Sequence, residues 1–88
     1  MLNIVRTTTF KKEYKKSLKQ GKSRCKIEEV LYNLAYKIPL DQKFRDHKLS
    51  NNYLGKRECH IEPDWLLIYE VTESELILYR VGSHSELF

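Results

Sequence analysis

Glycine, proline, cysteine, tryptophan and methionine are all scarce in this 88-residue sequence: three Gly, two Pro, two Cys, one Trp and one Met. So little Gly and Pro excludes a low-complexity or collagen-like chain, and a hydrophobic content of 41% is that of a globular one. A single domain over residues 1–88 is expected, with an adequate but small core. Cys25 and Cys59 match no zinc-ligand spacing and accompany no export signal, so they read as two reduced thiols rather than a disulfide. Long apolar runs are missing too. Leu2-Asn3-Ile4-Val5 is too short and too interrupted for a signal peptide or a membrane span. A cytoplasmic protein with no membrane partner is expected.

Acidic residues are nearly absent from one region. Residues 1–26 hold nine of the sixteen Lys and Arg but only one acid, Glu13, a local charge of +8 within a chain of net +4. Residues 27–88 hold seven basic and eleven acidic residues, a local charge of −4. A basic end of this kind attracts phosphate backbones or an acidic protein; the same pattern also fits a solvated lysine face.

What is present follows a readable order. Leu2–Arg6 reads as a short strand. Thr7, Thr8 and Thr9 offer N-cap oxygens for a helix over about residues 9–20. Its narrow apolar stripe is Phe10, Tyr14 and Leu18, with Lys12, Lys15, Lys16 and Lys19 opposite and Gly21 ending it in the left-handed conformation. Ser23 caps a second helix with Ile27, Val30, Leu31, Leu34 and Ile38 buried, stopped by Pro39. Residues 39–56 read mostly as loop, anchored by Leu40, Phe44 and Leu49, with a turn at Gly55. Three strands follow, at Lys56–Ile61, Trp65–Val71 and Leu76–Val81, with connections short enough for antiparallel hairpins. Leu66-Leu67-Ile68-Tyr69 and Leu76-Ile77-Leu78-Tyr79 are almost continuously apolar, as in strands covered on both faces. The expectation is an α+β domain: an N-terminal strand and a helical hairpin packed on one face of a small antiparallel sheet.

No nucleotide-binding loop, zinc motif or serine-hydrolase elbow is present, so any chemistry must converge through the fold. All three histidines, His47, His60 and His84, fall in the second half, each with an acidic neighbour. In a strand over 56–61, Cys59 and Ile61 face the core while Glu58 and His60 share the other face. Antiparallel pairing then gathers His60, Asp64 and His84 at one sheet end. Such a set suits RNA cleavage by the RNA's own 2′-hydroxyl, which needs a base, an acid for the leaving 5′-oxygen and a cation such as Arg80 for the phosphorane. Trp65 or Phe88 would stack an unpaired base. Each residue also has an ordinary structural reading: a hydrogen-bonded histidine, a core tryptophan, an arginine paired with a glutamate, an aspartate in a turn. No two histidines have compact ligand spacing, so neither a metal nor another cofactor is expected.

Three segments carry a resemblance. Phe44-Arg45-Asp46-His47-Lys48-Leu49, Arg57 to Tyr69 (RECHIEPDWLLIY) and Arg80 to Phe88 (RVGSHSELF) together resemble the YafQ branch of the RelE/ParE toxin superfamily. The match is dense in the C-terminal half; the N-terminal helices agree in length, order and basic character. The resemblance implies a toxin of a bacterial type II toxin–antitoxin pair. It further implies a metal-independent endoribonuclease that cuts mRNA, generally on translating ribosomes, and is neutralised by a small antitoxin that wraps it. His47, His60, Asp64 and His84 match the family's catalytic positions, and Trp65, Arg80 and Phe88 match supporting ones. By this resemblance His84 is the acid, His60 and Asp64 are candidates for the base, and His47 assists or binds phosphate. The rival reading is a noncatalytic binding module, either a ParE-like gyrase-inhibiting toxin or an RNA-binding protein with structural histidines.

Overall fold

A computed structural model of the chain describes residues 1–50 and 53–88. It begins with β1, Asn3–Arg6, which ends where Thr7 turns the backbone into α1, Thr8–Lys19. Thr7 is the N-cap: its hydroxyl oxygen accepts the Phe10 N–H at 3.1 Å while the O–H donates to the Leu78 carbonyl at 2.9 Å, so one side chain starts the helix and docks it on the sheet. Gly21 ends α1 as expected, with φ +91°. Its N–H reaches the Leu18 carbonyl and that of Lys22 the Ser17 carbonyl, the paired bonds of a left-handed helix stop.

Helix α2, Arg24–Ala35, is capped by Ser23 and buries Ile27, Val30, Leu31 and Leu34. It stops three residues earlier than the stripe predicts. Lys37 takes the left-handed conformation (φ 59°), the Ile38 N–H bonds to the Asn33 carbonyl, and Ile38 turns outward to solvent. This is the same terminating motif as at Gly21, built without a glycine to announce it. Pro39 lies beyond the helix and does not end it.

The loop expected over 39–56 contains a 3₁₀ turn, Gln42–Phe44, and a two-residue strand, β2, His47–Lys48. Residues 51 and 52 of that segment lie outside the described residues. Three longer strands follow: β3 Arg57–Glu62, β4 Trp65–Val71 and β5 Glu75–Gly82. The sheet order is β1-β5-β4-β3-β2. Strands β2 to β5 pair antiparallel, whereas β1 joins β5 in parallel, with Ile4 beside Leu76 and Arg6 beside Leu78. A terminal helix, α3 (His84–Leu87), folds back after β5.

Both faces of the sheet are covered, which accounts for its near-continuous apolar strands. On one face Cys59, Ile61, Trp65, Leu67, Tyr69, Leu76, Leu78 and Val81 pack against Phe10 of α1 and the apolar side of α2. On the other, Leu66 and Ile68 pack against Leu87 of α3 with Leu49, Tyr53 and Tyr79. Cys59 is core, and burial pushes its thiol up out of the reactive range; Cys25 is exposed, and neither cysteine forms a disulfide.

Candidate active site

The register of β2, β3, β4 and β5 sets the site. His47 stands opposite Glu58, Glu58 opposite Ile68, and Ile68 opposite Arg80; one row on, His60 stands opposite Leu66 and Leu66 opposite Gly82. His47, Glu58 and His60 therefore occupy the face away from the helical hairpin, as the alternation of β3 requires. Glu58 is only 5% exposed, yet it is not isolated. Nε2 of His47 and Nε2 of His60 each lie 3.4 Å from its Oε1.

The other nitrogen of each ring is already committed. His47 Nδ1 lies 2.7 Å from the Arg45 carbonyl oxygen and His60 Nδ1 lies 3.2 Å from that of Pro63. A carbonyl oxygen only accepts, so each Nδ1 carries a proton and donates it. Both Nε2 atoms then face one carboxylate, and a proton on either imidazole is within reach of Glu58. Among the described residues no group of three or more His, Cys, Asp and Glu side chains is arranged to hold a metal ion.

The second half of the site is built around α3. Asp64 Oδ1 accepts the backbone N–H of His84 at 2.9 Å, tying the β3–β4 turn to the start of the terminal helix. Ser83 caps that helix in a reciprocal box with Glu86, whose carboxylate accepts the Ser83 N–H at 2.8 Å. Lys16 pairs with Glu86 at 2.8 Å, and this hydrogen bond first, with those to Ser83 after it, holds the Glu86 carboxyl down at about 2. The His84 ring lies against Phe88, centroids 5.1 Å apart, and the Phe88 ring meets Tyr53 edge-on at 5.5 Å. Phe88 remains 55% exposed, so it is fixed in place and still presents a face. The chain end is thus folded back onto the sheet.

Not every expected residue lies open to a substrate. Trp65 is 1% exposed, with its indole N–H donated to buried Ser17 Oγ at 3.1 Å. It anchors the helix-facing core and offers no ring to a base, so stacking by Trp65 is corrected to a packing role. Arg80 is engaged on two edges: it makes a forked pair with Glu13 (2.7 and 3.0 Å), and Nη1 donates to the Tyr53 hydroxyl at 3.0 Å. Tyr53 in turn donates to the Leu87 carbonyl. Arg80 thus braces α1 and α3 from the sheet. Of the lysines, Lys16 is spent on Glu86, while Lys12, Lys15 and Lys19 lie exposed on α1, on the hairpin side.

Three contributors carry no clear signal in the sequence. Strand alternation puts Glu58 on the face of His60, but nothing local shows that His47 arrives on its other side. Asp46 and Tyr69 are equally silent: Asp46 accepts from the Arg57 guanidinium (3.0 and 3.3 Å) and from the buried Tyr69 hydroxyl, clamping the residue next to His47.

A basic α+β domain whose acid–base side chains gather at one end of its sheet, with a cationic helix reaching the terminal helix of the site through Lys16, has the build of the small toxin proteins of bacteria. A family profile described as "Bacterial toxin of type II toxin-antitoxin system, YafQ" matches residues 2–88. The mRNA interferase toxin YafQ of Escherichia coli K12 is 34% identical over 90 residues, covering 97% of this chain and 98% of that one. A copper-bound L66S mutant toxin from Helicobacter pylori superimposes with TM-score 0.96 at 45% identity over the whole of both chains. The E. coli DinJ–YafQ toxin–antitoxin complex matches with TM-score 0.90 at 33% identity, over 99% of this chain and 97% of that one. This chain belongs to the YafQ family of type II toxins. No helix among the described residues is long and apolar enough to cross a membrane.

Proposed function

We propose that this toxin is a metal-independent endoribonuclease that cuts mRNA in the cytoplasm, on ribosomes, with its activity held in check by a small antitoxin. The observation that carries the reading is the shared position of two groups at one end of the sheet. His47 and His60 converge on one carboxylate oxygen of Glu58, and Asp64 holds the start of the helix that bears His84.

In the proposed reaction His60 takes the proton of the RNA 2′-hydroxyl. The 2′-oxygen attacks the adjacent phosphorus and the P–O5′ bond breaks, leaving a 2′,3′-cyclic phosphate. His84 gives its proton to the departing 5′-oxygen. His60 is favoured over Asp64 as base because Asp64 Oδ1 already accepts the His84 amide, a positioning task. With its Nδ1–H bound to Pro63, His60 has Nε2 left for the proton, and Glu58 beside it stabilises the imidazolium that forms. His47 shares that carboxylate and assists by binding the phosphate. Phe88, standing half-exposed beside the acid, suits a base-stacking role.

The test is to incubate the protein with mRNA in EDTA and analyse the new ends. Cleavage that persists and leaves 2′,3′-cyclic phosphate and 5′-hydroxyl ends is expected. No cleavage with or without divalent cations would overturn the ribonuclease reading in favour of a binding module. Cleavage abolished by EDTA and restored by copper or zinc would overturn metal independence.

A further inference from the structure

Short β2 leaves one side of β3 open, and a groove of about 410 Å³ runs there between α2 and the turn after β3. Its walls are Lys26 and Glu29 of α2, Lys43 and Arg45 beside the 3₁₀ turn, and His60 with Pro63; Phe44 lies in its floor. His60 is therefore shared between the catalytic cluster and this groove. Of the other wall residues, Arg45 and Pro63 enter the site only through the backbone carbonyls that orient His47 and His60, and the side chains of Lys26, Glu29 and Lys43 have no part in the proposed reaction.

We infer that the groove is a subsite for one nucleotide of the RNA strand, next to the scissile phosphate, and that it selects a base bearing an amino group over uracil. The inference rests on the ribonuclease reading and adds a specificity pocket to it. Size comes first: pockets of roughly 300–1,000 Å³ hold single small ligands, which suits one nucleotide and not a helix. Charge comes second. Lys26 is paired with Glu62 at 2.8 Å, which leaves Lys43 and Arg45 as the wall cations for a phosphate. Lys43 Nζ stands 5.1 Å from the centre of the Phe44 ring, so ammonium and apolar floor are side by side, as a nucleotide's phosphate and base require.

Glu29 supplies the discrimination. An ionised carboxylate only accepts hydrogen bonds. Cytosine and adenine offer an exocyclic amino donor, and guanine offers an amino beside a ring N–H. Uracil offers one ring N–H flanked by two carbonyl oxygens, which a carboxylate repels. Single-stranded RNA leaves those base edges open to be read in this way. An acidic antitoxin segment would also be drawn to Lys43 and Arg45. Nucleotide binding is favoured because the groove shares His60 with the reaction centre and has a volume that suits a single nucleotide.

The experiment uses the full chain, with Lys43→Ala and Glu29→Gln made separately at exposed positions and folding checked by circular dichroism. Lys43→Ala is expected to raise KM for RNA about tenfold, with kcat nearly unchanged, as for removal of one charge-assisted bond to phosphate. Glu29→Gln is expected to admit uracil several times more often than the wild type at one fixed position beside the cut when the ends are sequenced. An unchanged KM together with an unchanged cleavage map in folded variants would overturn the proposal. So would weakened antitoxin binding with RNA parameters intact, which would assign the groove to the protein partner. A wild-type protein that cuts no RNA would sink the ribonuclease reading itself and the subsite with it.

Discussion

The hydroxyl of Tyr69, in the middle of β4, donates to Asp46, the residue immediately before His47. Tyr69 belongs to the core beneath the helices, and burial, followed by the Asp46 carboxylate, raises its pKa so that it stays a donor. A strand of only two residues cannot hold its own register; this bond and the Arg57–Asp46 pair hold it. Tyr69→Phe is expected to cost about 1.5–3 kcal/mol, the worth of a hydrogen bond to a charged group. It should also lower kcat by displacing His47, which the His47 ring signals in NMR report. Unmoved signals with full activity would show that the clamp is only a stabilising contact.

His84→Ala is expected to reduce cleavage by ~10²–10⁴-fold, the contribution of a positioned acid or base. Its ring lies against half-exposed Phe88 and not in either core, so the melting temperature should hardly move. Removing Phe88 should reduce cleavage about tenfold because base stacking disappears, again with little effect on melting. Steady-state cleavage beside a thermal melt separates these outcomes, and normal cleavage by His84→Ala would remove it from the acid role.

Trp65→Phe should behave in the opposite way. It strips a partner from the buried Ser17 hydroxyl and is expected to destabilise the fold by about 1–3 kcal/mol. Cleavage per folded molecule should stay unchanged, because the indole does not reach the surface. Denaturant unfolding measures the first effect and single-turnover cleavage the second.

Glu86 gives the chain end a pH dependence. Its carboxyl, held down at about 2 against an ordinary 4.5, stabilises α3 fully above pH 4.5. The contribution is lost as pH falls from there through about 2, because protonation removes the Lys16 pair and the Ser83 bond. Protection of the Phe88 amide, whose N–H bonds to the His84 carbonyl, relative to its intrinsic exchange rate at each pH should fall over that window; in Glu86→Gln it should already be low at neutral pH.

Neutralising Lys12 and Lys15 together should weaken RNA binding and reduce the slope of log K against log salt by roughly 0.7 for each phosphate no longer neutralised. Lys16→Gln should differ from both, since it frees Glu86 and loosens α3. Equal salt slopes in wild type and double variant would mark Lys12 and Lys15 as a solvated face.

The fold is legible wherever one physical signal acts alone. Alternation in β3 separates Cys59 and Ile61 from Glu58 and His60, and Gly21 marks the end of α1. Lys37 shows why the rest is not: a left-handed lysine ends α2 with no compositional sign. The parallel place of β1 is hidden because its partners come from distant sequence. In the site, Asp64 and His84 are expected together and do meet. The pairing of His47 with Glu58 depends on a two-residue strand too short to have a periodicity. Trp65 misleads because it stands on the helix-facing side of β4 within the main core, where buried Ser17, a residue no hydrophobic pattern selects, satisfies its N–H.

The seam between β1 and β5 has a kinetic consequence. Strands β3, β4 and β5 are joined by tight turns and can zip together from near neighbours, whereas Ile4 must find Leu76 across almost the whole sequence. Closing so long a loop is entropically slow, and contacts of this kind retard folding. The hairpins carrying Glu58 and His60 are therefore expected to form first, with the first strand docking later as a latch that also brings α1, with its Glu13 brace, up to Arg80. Until that latch closes, the edge of β5 is an open template for another strand, so the interval before docking is when this toxin is most exposed to capture, by a neutralising partner or by aggregation.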